Sequence, residues 1–245
     1  MKNYNIERLE MKVDNIPLVV FRPVREVERY KTIIYYHGWS SDVGTYELMG
    51  RIFAYHGFQV ILPEVVKHGV RGRADNYESY KEMFDVVIQS VEEFDSIKEF
   101  AISELNSEEK NIIISGHSMG GIIISAIFAR DLDLKSAIIF NSIINYNELK
   151  DTSEDFTDEM KEKFDLYNPM DRLMNFSRRD MLVLVGELDE VIYPETMVRF
   201  QKILESEKVD FENMIFSFHY DCAHSISYKM VNEALNYALN LFEEV

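Results

Sequence analysis

The sequence predicts an α/β protein: a mostly parallel, twisted sheet of about eight strands with helices on both faces. Three observations carry that prediction. Runs such as Thr32-Ile33-Ile34-Tyr35-Tyr36, Ile112-Ile113-Ile114-Ser115 and Met181-Leu182-Val183-Leu184-Val185 are apolar at consecutive positions, as strands covered on both faces must be. Longer stretches between them repeat apolar residues at helical spacing. The chain has 245 residues, 47% of them hydrophobic, and neither a repeat nor a linker rich in proline, serine or glycine, so a single domain over 1–245 is expected.

Taken in order, residues 4–13 and 17–23 read as two strands joined by a turn around Asp14-Asn15-Ile16-Pro17, supplying an antiparallel edge. Thr32–Tyr36 is a short strand stopped by His37-Gly38. A helix over Tyr46–Tyr55 ends at Gly57, and Phe58–Leu62 is a strand closed by Pro63. From Tyr77 to Leu105 the spacing of Met83, Phe84, Val87, Ile88, Val91, Phe94, Ile97, Ala101 and Leu105 predicts one long amphipathic helix. Strand Ile112–Ser115, helix Ser118–Arg130 and strand Ala137–Phe140 follow. After residues 145–177 come strand Met181–Val185, helix Pro194–Leu204, strand Phe211–Phe218 and helix Ile226–Phe242.

The bulk properties exclude several function classes. A formal charge of −17 disfavours nucleic acid and anionic membrane as partners, and mildly disfavours highly anionic substrates. No apolar run is long enough to span a bilayer, and the N-terminal stretch lacks the apolar segment of a signal peptide. With one cysteine, Cys222, there is no internal disulfide, and a cytoplasmic location is expected.

Between two isoleucine-rich runs sits Gly116-His117-Ser118-Met119-Gly120-Gly121, residues poorly suited to filling a core. Gly-x-Ser-x-Gly between a strand and a helix is the pattern of a nucleophile elbow. A sharp turn there holds the serine proud of the sheet at a helix N-terminus, where partial positive charge favours an oxyanion. The bland alternative is a tight strand–helix turn with a serine cap.

A serine hydroxyl needs a base, and the base an orienting carboxylate. Of the six histidines, His219 and His224 lie near the loop between the last strand and the last helix. His224, flanked by Ala223 and Ser225, is preferred over His219, which sits at the strand's end. His117 is adjacent to Ser118 and is assigned to shaping the elbow, and His56 to a helix C-terminus. Asp189, in the loop after the strand ending at Gly186, is the preferred acid, with Glu187 and Glu190 as rivals. The expected oxyanion donors are the backbone amides of Met119 and of Trp39 in "HGWSSD", with Ser40 as the alternative to Trp39.

These residues resemble the α/β-hydrolase superfamily: His37-Gly38-Trp39, Gly116-His117-Ser118-Met119-Gly120, Gly186-x-x-Asp189 and His224 stand in that superfamily's order of serine, acid and histidine. The resemblance runs from the opening hairpin to the last helix. The chain is most similar to small bacterial esterases grouped with dienelactone hydrolases and with prolyl-oligopeptidase-like catalytic domains. It departs from dienelactone hydrolases in carrying Ser118 where they usually carry cysteine, and from prolyl oligopeptidases in having no room for a propeller.

That resemblance implies a serine carboxylesterase acting on a small-molecule ester of short or medium acyl chain through an acyl-enzyme on Ser118, with no cofactor and no metal. A peptidase or amidase of the same fold, or a slow-turnover ligand receptor, are the alternatives. Residues 145–177 fall where this superfamily inserts its caps. Phe164, Met170, Leu173 and Met174, with Phe156, Met160, Leu166, Tyr167 and Phe176, either line a substrate pocket beneath a small lid or anchor the insert to the body. The acids at 151, 154, 155, 158 and 159 read as a solvated helix face. Arg71 and Arg73 read as surface salt-bridge partners or, failing that, as anion readers, and Cys222 as a small loop or core residue or, failing that, a redox switch on the base loop.

Overall fold

Ile112, Ile113 and Ile114 show how the sheet is built. Ile112 and Ile114 lie in one apolar cluster and Ile113 in another, all fully buried, because successive side chains of a strand point to opposite faces. A strand apolar at every position needs cover on both sides. The computed structural model describes residues 4–150 and 158–242.

The strands are β1 (Ile6–Val13), β2 (Ile16–Pro23), β3 (Tyr30–Tyr36), β4 (Gln59–Pro63), β5 (Ser107–His117), β6 (Ser136–Phe140), β7 (Met181–Gly186) and β8 (Met214–His219). They form an eight-stranded sheet in the order β1-β2-β4-β3-β5-β6-β7-β8. The β1–β2 and β2–β4 pairs are antiparallel and the remaining pairs parallel. Val13 pairs with Ile16, so Asp14 and Asn15 make a two-residue turn in which Asp14 takes a φ of 50°, a left-handed conformation that short polar side chains tolerate.

The helices are α1 (Val43–Tyr55), α2 (Tyr80–Glu92), α3 (Phe94–Ser103), α4 (Met119–Arg130), α5 (Asn147–Lys150), α6 (Asp158–Tyr167), α7 (Glu195–Ser206) and α8 (Tyr228–Asn240). Apolar side chains of α2, α3, α4 and α7 share a cluster with Ile112 and Ile114, and those of α1 and α8 share the other with Ile113. From Met119 to Ala129 every residue of α4 is buried, which accounts for a helix sequence apolar all round.

The stretch from Tyr77 to Leu105 is two helices rather than one. Ser79 caps α2, accepting from the Glu82 amide, and the chain bends at Glu93, where ψ opens to −14°. There the Glu93 carboxylate takes two 2.7 Å hydrogen bonds from the Arg71 guanidinium. Both helices bury their stripes on the same side of the sheet, so the apolar period runs through the bend without marking it. β8 also starts later than expected, because residues 211–214 form a turn: the Met214 amide donates to the Phe211 carbonyl at 2.9 Å.

The insert contributes α5, α6 and a short 3-10 segment at Pro169–Phe176. Phe156 and the acids at 151, 154 and 155 lie outside the described residues, as do the side chains of residues 158–160.

One feature of the topology places the site. The chain runs from β3 to β4 on one side and then crosses back to β5 on the other side of β3, so the loops after β3 and β5 emerge side by side at the carboxyl end of the sheet. Tyr36 is paired with Gly116, and His117 with Phe140.

Candidate active site

Ser118 joins β5 to α4 with φ 54° and ψ −119°, a strained conformation for a residue with a side chain. Local hydrogen bonds hold it there. Its amide donates to the Phe140 carbonyl at 3.0 Å, and its own carbonyl accepts from the amides of Gly121 and Ile122 and from Ser142 Oγ at 2.7 Å. Gly116 has to be glycine, since a Cβ there would lie 2.4 Å from the Gly120 backbone.

The hydroxyl of Ser118 lies 2.9 Å from His224 Nε2, and His224 Nδ1 lies 2.7 Å from Asp189 Oδ2. Ionised Asp189 accepts only, so the Nδ1 proton is donated to it and Nε2 is left to accept from Ser118. The other Asp189 oxygen accepts from the amides of Val191 (2.9 Å) and Ile192 (2.8 Å). Burial pushes this carboxyl upward, but the His224 bond and the two amides outweigh it and hold the group below its ordinary value. Glu187 and Glu190 are exposed, and the bond to His224 is made by Asp189.

The remaining histidines have other partners. His219 lies at the end of β8 with Nε2 3.1 Å from Glu233, and His56 closes α1 by donating to the Ile52 carbonyl. His68 donates to the Val66 carbonyl and accepts from the Ser40 amide at 3.2 Å. That bond occupies the Ser40 amide. Among the described residues the amides of Trp39 and Met119 have no acceptor, and both residues line the same cleft as Ser118.

His117 lies with its ring 5.1 Å from that of His224 and with Nδ1 2.8 Å from the Tyr46 hydroxyl. The Tyr46 oxygen also accepts from the Gly38 amide and from Ser41, so its proton goes to His117 Nδ1, putting the imidazole proton on Nε2. Burial, reinforced by His224, lowers the His117 pKa from 6.5 to about 3. The folded protein therefore keeps this ring neutral while the unfolded chain takes up a proton. Stability from it is complete above about 6.5 and drains away as the pH falls toward about 3. The urea midpoint is expected to fall over that window, and His117→Asn to make the decline shallower. An equally steep decline in the variant would trace it elsewhere, first to His68, which burial lowers too.

Two residues that sequence reasoning did not single out brace the site. Asn141, buried at the end of β6 with φ 41°, accepts from the Gly186 amide at 2.8 Å and donates to the Ser225 carbonyl at 2.7 Å. One side chain thus ties the Asp189 loop to the His224 loop. Ser142 does the same for the elbow carbonyl. Their signal was a polar pair, Asn141-Ser142, directly after the apolar run Ala137–Phe140.

The cleft beside Ser118 has a volume of about 710 Å³. Met83, Ile122, Ile143, Leu149 and Ile192 supply apolar wall, Trp39, Tyr77, Tyr80 and Tyr193 aromatic wall. Phe164, Met170, Leu173 and Met174 are not part of it. Phe164 is buried against Phe84 and Tyr146, Leu173 is buried in the same core, Met170 packs on that core, and Met174 is 62% exposed. Phe176 is buried beside Phe128 and Phe200, and Leu166 is exposed. The physical reason is that the described apolar residues of α6 and the 3-10 segment dock onto α2 and α4, and among the described residues of the insert it is α5 that reaches the cleft, through Glu148 and Leu149. Arg71 is engaged by Glu93, Arg73 lies 5.8 Å from the Tyr77 ring, and Cys222 is buried, donating to the Ser225 carbonyl. Among the described residues no group of three or more His, Cys, Asp or Glu side chains is arranged to hold a metal ion, and no helix is long and apolar enough to cross a membrane.

Residues 1–158, which include the Trp39 loop and the Ser118 elbow, match the chlorophyllase family. The chain belongs to that family. The matched region of this chlorophyllase-family chain stops before Asp189 and His224. Esterase YjfP of Escherichia coli (strain K12) is 26% identical over 126 residues, 51% of this chain and 51% of the relative. The chain spans about half the length of the curated relatives it matches first. Among solved structures, TT1662 from Thermus thermophilus superposes with a TM-score of 0.84 at 15% identity, covering 98% of this chain and 100% of that one. Thermogutta terrifontis esterase 2, phosphoramylated by tabun, gives 0.69 at 16% identity over 97% and 95%. The family and these likenesses identify the fold as that of the α/β-hydrolases.

Proposed function

We propose that this protein is a serine carboxylesterase that cleaves small-molecule esters of short or medium acyl chain through an acyl-enzyme. The observation that carries the proposal is the continuous hydrogen-bonded line from Ser118 Oγ through His224 to Asp189, at 2.9 and 2.7 Å, opening into an apolar cleft.

Each step follows from that line. Ser118 Oγ attacks the ester carbonyl carbon as its proton passes to His224 Nε2. The carbonyl oxygen gains the charge, and the unengaged amides of Met119 and Trp39 receive it. Asp189, held below its ordinary pKa by the His224 bond and two backbone donors, stabilises the imidazolium and fixes the tautomer. His224 then protonates the departing alcohol, breaking the C–O bond and leaving the acyl group on Ser118. Water, deprotonated by His224, attacks that acyl carbon, and the carboxylic acid leaves as Oγ regains its proton.

The test is pre-steady-state hydrolysis of 4-nitrophenyl acetate, butyrate and octanoate, with the matching 4-nitroanilides alongside. Expected is multiple turnover of the esters, with any burst of nitrophenol equal to one per chain and abolished by prior labelling with a fluorophosphonate. Cleavage of the anilides as fast as the esters would replace the esterase reading with an amidase. A single burst without turnover would replace it with a receptor.

A further inference from the structure

Resting on the esterase reading, we propose that the ion pair between Glu148 and Arg199 sets the charge class of the substrate: it occupies the Arg199 guanidinium, so the enzyme takes uncharged acyl groups and turns away those bearing a carboxylate.

Glu148 belongs to α5 in the insert and Arg199 to α7, and both side chains line the cleft that contains Ser118. Arg199 Nε lies 2.9 Å and 3.1 Å from the two Glu148 oxygens, and a terminal guanidinium nitrogen lies 2.5 Å from one of them. This is the paired fork that an arginine offers a carboxylate, and it occupies the guanidinium edge that would otherwise grip a substrate acid. Arg199 is the lone Lys or Arg among the described residues that line the cleft. Glu78 and Glu190, which also line the cleft, have no cationic partner among the described residues. Glu195 adds to the negative field on Arg199. An incoming carboxylate therefore meets two unpaired acids and a neutralised arginine, in a protein of formal charge −17.

The geometry also makes the preference reversible. Glu148 is held on the insert and is mostly covered, whereas the Arg199 side chain is half exposed. Glu148→Gln removes the charge with little change of volume and leaves Arg199 in the cleft, free to bind an acid. The internal inhibitor, in effect a carboxylate already bound, is then gone.

The experiment compares the 4-nitrophenyl half-esters of adipic, pimelic and suberic acid with their methyl-capped counterparts, which have the same chain without the charge. Three lengths allow the carboxylate to find Arg199 wherever the acyl chain points. The readout is the ratio of kcat/KM, acid over capped, within each variant. A folding defect scales both substrates alike and cancels.

Wild type is expected to favour the capped ester by roughly tenfold. Glu148→Gln should raise the acid-over-capped ratio by about fivefold to tenfold at one length or more, mainly through KM. The double variant Glu148→Gln/Arg199→Gln should lose that gain. A ratio unchanged by Glu148→Gln at all three lengths overturns the proposal, as does a gain that survives in the double variant. Wild type accepting both esters equally well does so too. Failure of the underlying esterase reading looks different: the capped esters themselves, like 4-nitrophenyl butyrate, would not turn over.

Discussion

Ser118→Ala is expected to lower kcat toward 4-nitrophenyl butyrate by about 10⁶-fold, His224→Ala by about as much, and the double variant by no more than either alone. The three outcomes belong together because, in the proposed mechanism, the two side chains perform one act. At 2.9 Å, His224 Nε2 is the acceptor of the Ser118 proton, and without it the hydroxyl keeps that proton through the attack. Without Ser118, the imidazole has only water to activate, in a site shaped around an attacking oxygen fixed to the elbow. What survives in every variant is binding in the cleft and the two amides at Trp39 and Met119, so the residual rate should be common to all three. Asp189→Asn tests the third position by another route. An amide can offer its N–H to His224 Nδ1 and so favour the wrong tautomer, with an expected loss of about 10⁴. Measured against 4-nitrophenyl butyrate under saturation, losses that multiply in the double variant would mean the residues act separately. Retained turnover in His224→Ala together with its loss in His219→Ala would move the base to the end of β8.

Ser118, Asp189 and His224 could be read from the sequence because each follows the carboxyl end of a strand, and strands apolar at every position are easily located. The elbow adds a local constraint, a glycine on either side of the serine, that needs no knowledge of the rest of the chain. The bracing of the site is different in kind. Asn141 gains its role only when the loops after β7 and β8 are brought beside it, and its bonds to Gly186 and Ser225 span 45 and 84 residues. His117 could be assigned to the elbow, but its bond to Tyr46 crosses 71 residues and has no local mark. The cleft was the hardest to anticipate. Its walls come from the β3 loop, α2, α4, α5, α7 and the loops after β7 and β8. An amphipathic insert says only that an apolar stripe is buried somewhere, and here the stripe of α6 went to the body. The bend at Glu93 has no mark in the sequence for a similar reason, since the stripe of α2 continues into α3 on the same side of the sheet.

Gly120→Ala is expected to be among the most damaging single substitutions to the fold, lowering stability by about 3 kcal/mol, the upper end of what overpacking costs. A Cβ at position 120 would stand 2.1 Å from the Tyr36 carbonyl oxygen and 2.8 Å from that of His37. Both obstacles are backbone, so no rotamer change relieves them. Either α4 or the end of β3 has to move. The first turn of α4 is the less able to yield, since the Ser118 amide is bonded to Phe140 and its carbonyl to Ser142. Tyr36 is itself held in register with Gly116, so the strain is passed along the chain into His37, Gly38 and Trp39. That is the segment expected to present an oxyanion donor. One methyl group should therefore weaken the fold and, in whatever fraction still folds, lower kcat more than it raises KM, because the misplaced amide serves the transition state rather than the bound ester. Urea unfolding and active-site titration on the same preparation separate the two effects, the titration counting competent chains and kcat being expressed per competent chain. An unchanged urea midpoint would show that β3 and α4 can part without penalty. A full kcat per competent chain would break the link drawn here between the close approach at Gly120 and the position of the Trp39 amide.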